Sequence, residues 1–63
     1  MGRDVWFFRN ARYALLDELE MMEVTERMVI DVPELHSALL ARRHNVQAGL
    51  KWIDEQIKAL REE

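Results

Sequence analysis

Cysteine is absent from the 63 residues. Neither disulfides nor thiolate metal sites can therefore staple this chain, and the absence fits a reducing compartment. No uninterrupted apolar run exceeds four residues, as in Val5, Trp6, Phe7 and Phe8. A bilayer span needs about 20, and no signal-peptide core follows the start. A cytoplasmic chain with no membrane partner is the expectation. There is one proline, Pro33, and there are two glycines, Gly2 and Gly49, so nothing between Asp4 and Val32 is a strong helix breaker. A chain this short seldom buries enough apolar surface to fold firmly by itself. With disulfides excluded, oligomerisation is the staple that remains. A hydrophobic content of 49% beside 33% charge belongs to a packed helical protein and not to a disordered one.

What is present reads as two helices and one break. From Asp4 to about Arg27, the residues Val5, Phe8, Arg12, Leu15, Leu19, Met22 and Glu26 recur at intervals of three and four, a helical period. Met28, Val29, Ile30 and Val32 then bring in β-branched side chains, which lower helix propensity where the chain must turn. A helix restarts in Ile30-Asp31-Val32-Pro33-Glu34-Leu35. Either Asp31 caps it, with Glu34 as in a capping box and Ile30 stapling onto Leu35, or Val32 caps it and Pro33 takes the first position. Onward to about Arg61, Leu39, Val46, Ile53 and Leu60 repeat every seven residues, with His36, Arg43, Leu50 and Ile57 in the other seam position. The expected fold is all-α: a single helical-hairpin domain over 1–63, with helix 1 at about 4–27, a turn at about 28–32 and helix 2 at about 33–61. So short a turn makes the two helices antiparallel neighbours.

Charge agrees with this folding back. Between Asp17 and Glu26 stand five acids and no base, while Leu35 to Ile53 holds Arg42, Arg43, Lys51 and two histidines but no acid. The hairpin sets Asp17 opposite Arg42 and brings Arg3 near Asp54 and Glu55. Arg3, Arg9 and Arg12 are placed against the dipole of helix 1, so pairing between helices explains them better than dipole complementarity. Arg12 and Arg43 fall on seam positions, where they either pair and specify register or snorkel from the edge.

Each helix also carries a second apolar stripe. Phe7, Ala11, Ala14, Met21 and Met28 form one, and Ala38, Ala41, Ala48, Trp52 and Ala59 the other. A lone hairpin buries one stripe per helix, so a second copy is expected to cover the rest as a homodimeric four-helix bundle. The expected interface comprises Phe7, Ala11, Ala14, Met21, Ala41, Ala48 and Trp52. Gly49, costly inside a helix, marks a close crossing. Trp6 is left at the rim as a candidate anchor for an outside partner. A different reading caps a helix at Asn10 and leaves Arg3 to Arg9 extended, resembling the ribbon-helix-helix plan of some DNA-binding regulators. Trp6, Phe7 and Phe8 do not alternate as a groove-reading strand would.

No chemical site emerges. His36 and His44 are eight apart with no ligand at helical metal spacing, the acids of helix 1 spiral around it instead of converging, and Ser37 lacks an oriented base. Neither a cofactor, a metal nor a catalytic residue is expected. The pattern supports a small non-enzymatic homo-oligomer that regulates, inhibits or scaffolds a protein partner. A nucleic-acid-binding regulator would use Arg42, Arg43, His44 and Lys51, against a net charge of -3. Within the first class, a variant is an inhibitor whose acidic stretch, Asp17 to Glu26, mimics phosphates and occupies a nucleic-acid-binding protein; an enzyme, the third class, has no site that can be drawn.

Overall fold

The computed structural model describes residues 4–62. Two helices, α1 over Val5–Val29 and α2 over Pro33–Glu62, pack against each other as a hairpin. α1 begins where an acceptor can satisfy its first free amides: Asp4 is extended, and its Oδ1 accepts from the Phe7 amide at 3.0 Å. Residues 5 to 9 are thus helical and the extended alternative is excluded. Asn10 lies inside α1 and donates from Nδ2 to the Trp6 carbonyl at 2.9 Å.

The β-branched run stops α1 two residues later than expected, after Val29. Val29 is half-buried on the seam, and that burial outweighs its low propensity. The turn is correspondingly short, closed by the Val32 amide donating to the Val29 carbonyl at 2.9 Å. Pro33 is the first residue of α2, and the Val32 carbonyl accepts from the His36 amide. Of the two starts open in the sequence, the proline-first one is adopted, because proline restricts Val32 to non-helical geometry and itself lacks the amide a first turn leaves unpaired. Asp31 is not the cap, and Ile30 and Leu35 stay more than half exposed.

The seam is the one read from the periodicity. Phe8, Met22, Val46, Ile53 and Ile57 are the buried hydrophobics among the described residues, and the other seam positions of both helices are half-buried. At the open end Phe8, Ile53 and Ile57 form a cluster against which Val5, Ala11, Leu15 and Leu60 pack. Gly49 sits where the helices approach: a Cβ there would stand 3.4 Å from Leu15 Cδ1. Ile53, 6% exposed, has no room to be replaced without a void. Ile53→Ala is expected to lower stability by about 2 to 5 kcal/mol, and Lys51→Ala, on the outside of the same helix, by less than about 0.5 kcal/mol. Urea titration followed by helicity checks both values.

Candidate interaction surface

Ion pairs fix how the helices sit side by side. Glu26 of α1 is the junction of one set: its Oε1 and Oε2 accept from Arg43 Nη1 and Nη2 at 3.2 and 3.0 Å, and Oε2 also meets His36 Nε2 at 2.9 Å. A carboxylate only accepts, so the His36 proton resides on Nε2. His36 and Arg43 are seven apart on α2, so a one-turn slip of α2 would break both contacts together. Toward the open end Arg12 Nε pairs with Asp54 at 3.2 Å, and on the opposite side of the hairpin Arg42 Nε pairs with Glu18. The sequence-based pairing of Arg42 with Asp17 is off by one residue, because Asp17 points 100° further round α1. Arg3 lies outside the described residues, and Arg12 takes Asp54. Both seam arginines therefore pair across the hairpin, Arg43 with most of its side chain covered.

Those ion pairs and the recesses beside them define two unlike sides. On one side Thr25, Leu35, Ala38, Leu39 and Arg42 line an open, apolar recess of about 360 Å³, and Leu15, Glu18, Asn45 and Gly49 line the next along. Two seven-residue rows flank them, Phe7, Ala14, Met21 and Met28 on α1 and Ala38, Asn45, Trp52 and Ala59 on α2. Met21 is 65% and Met28 74% exposed. Among the described residues, Glu18 and Arg42 are the charged residues along this side, with Asp4 at the start of α1. The other side is rich in charge: Arg9, Arg12, Asp54, Lys58 and Arg61 line its recess, and Glu20, Glu23, Arg27 and Lys51 share its rows with the exposed Trp6, Tyr13, Leu16 and Leu40.

Of the residues expected at an interface, Phe7, Ala11, Ala14, Met21 and Trp52 lie together on the apolar side. Trp52 leans over Phe8 with ring centroids 5.8 Å apart, and Phe7 meets Phe8 edge-on at 5.4 Å. Ala41 and Ala48 are in a different row, with Glu34 and Glu55, on the back of α2. Ala38, two heptads before Trp52, belongs to the stripe read from the sequence, whereas Leu35, one heptad before Arg42, was in no stripe. Trp6 is 72% exposed and Tyr13, one heptad on, also stands out from the outer surface of α1. Of the basic stripe, Arg42 and Arg43 are engaged by Glu18 and Glu26, which leaves His44 and Lys51 exposed.

Exposure is high for a chain of this mass. The accessible surface is 5181 Å², whereas a folded monomer of 7.5 kDa exposes about 4,200 Å². The excess of about 900 Å² compares with the roughly 800 Å² that each partner contributes to a stable complex. Among the described residues no group of His, Asp and Glu side chains is arranged to hold a metal ion, and no helix is long and apolar enough to cross a membrane. No family model, curated protein or solved structure matches the chain.

The hydrogen bond from His36, with those from Arg43, holds the Glu26 carboxyl below its ordinary value of 4.5. A carboxyl whose folded value is depressed stabilises the fold above its unfolded value and loses that contribution as pH falls through the folded one. Stability is thus expected to decline below about pH 4.5, and Glu26→Gln is expected to be less stable at pH 7 with a shallower acid limb. Urea midpoints measured from pH 7 to pH 3 test it; parallel curves for the two proteins would remove Glu26 from the account.

Proposed function

We propose that this chain is a small non-enzymatic helical interaction protein that works as a homodimer and regulates, inhibits or scaffolds a protein partner in the cytoplasm. The observation that carries the reading is the surface excess of about 900 Å² on a hairpin with one apolar and one charged side. Phe7, Met21, Met28, Leu35 and Trp52, all exposed, stand together on the apolar side; grouped exposed hydrophobics mark interaction surfaces, and a second copy is the partner available to every chain at its own concentration. Rigid helices with ion-paired register then present the outer rows, Trp6 and Tyr13 among them, to a different protein. An exposed tryptophan offers a large contact area for little lost side-chain freedom.

If the dimer supplies the missing layer, folding is linked to association by mass action. Helicity and melting temperature are expected to rise with protein concentration, with sedimentation giving twice the chain mass at the high end. A folded monomer throughout a dilution series would refute the reading. Trp6→Ala is expected to leave the dimer folded and to abolish capture of the partner from an extract of the native host. Loss of the dimer in that variant would instead return Trp6 to the core.

A further inference from the structure

We infer that the second copy docks on the side carrying Phe7, Met21, Ala38 and Trp52, with the two turns at the same end of the bundle. The inference rests on the dimeric reading and adds the face and the orientation. The face follows from charge. Among the described residues this side carries only Glu18 and Arg42 at its middle and Asp4 where α1 begins, whereas the other side carries charges of both signs on each helix, and charges taken out of water without partners oppose association.

Orientation follows from where those two residues sit. A two-fold axis in the plane of the interface runs either along the helices or across them. Glu18 lies one residue from the middle of Val5–Val29, and Arg42 faces it across the hairpin. With the axis across the helices, α1 packs on its own copy, and each Glu18 meets the other Glu18 near the centre, as each Arg42 meets Arg42. With the axis along the helices, α1 packs on α2 of the second copy at the same height. Glu18 then meets the second copy's Arg42, and four side chains close a ring of alternating sign. The same arrangement lays the long Met21 against the small Ala38 beside the open recess, so bulky and small residues interdigitate. Only the second axis satisfies the charges that the apolar face retains.

The test combines two variants and a mixing experiment read by native mass spectrometry. Ala14→Glu, on the docking side, is expected to weaken self-association by about tenfold or more, while Gln47→Glu, on the polar side, leaves it unchanged. The opposite ranking would overturn the face. The charge-reversed chain, with E18R and R42E together, is expected to dimerise with itself and, after exchange with the unmodified protein, to give fewer mixed dimers than random pairing. An excess of mixed dimers would overturn the orientation, because Glu18 would then be meeting the residue at its own position. An unmodified chain that stays monomeric would mean that the face belongs to some other protein, and would overturn the dimeric reading itself.

Discussion

Two helices meet along one line, and that restriction governs everything else in this molecule. A helix presents its full circumference, but a single neighbour covers only the stripe facing it, here Phe8, Leu15, Met22 and Val29 with Leu39, Val46, Ile53 and Leu60. Even at the centre of that stripe, burial is incomplete: among the described residues no large side chain is fully enclosed. Dispersion and water exclusion, which scale with contact, are correspondingly small. The hairpin is therefore held by a narrow seam, and apolar residues to either side of it remain in contact with water.

A narrow seam also specifies register weakly, since leucine and isoleucine tolerate a shift of one turn. Polar residues on the seam supply what the apolar ones lack. Glu26 gathers His36 and Arg43 from two successive heptads, and Arg12 reaches Asp54. These half-covered pairs contribute little net energy, yet displacing them strands charges in a partly covered position. They thus act more on which pairing forms than on how strongly it forms. Because the same contacts occupy Arg42, Arg43 and the acids opposite, they also take charge away from any surface that would bind phosphates.

The sequence made the helices legible because apolar residues recur without interruption at three and four, and the seam residues named from that spacing are those the structure covers. It was less informative where two local rules compete. Asp31 and Pro33 both signal a helix start, and the steric restriction on Val32 decides between them. Val29 is a poor helix former whose seam position keeps it helical. Periodicity places a residue to within about one step of 100°, which separates Glu18 from Asp17 only when the partner's position is known. The same tolerance grouped Ala41 and Ala48 with Trp52, though they stand in the neighbouring seven-residue row, turned toward the back of α2.

In the proposed dimer, the orientation of the two copies would bear on what the assembly offers to others. The residues that a second hairpin would cover are the aromatic Phe7 and Trp52 and, between them, the small or flexible Ala14, Met21, Met28 and Ala38, which adapt to close packing. Those left outside include the rigid aromatics Trp6 and Tyr13 and most of the charged side chains. With both turns at one end of the bundle, both Trp6 side chains belong to the other. Two identical anchors held at one end of a rigid body engage a symmetric or repeated target with the second contact already at high local concentration. An arrangement with the turns at opposite ends would separate the anchors by most of the 48 Å length of the hairpin, and each would bind alone. In the proposed dimer the ion pair at the middle of the apolar side would thus determine more than pairing: it would set whether the outer surface acts as one site or as two.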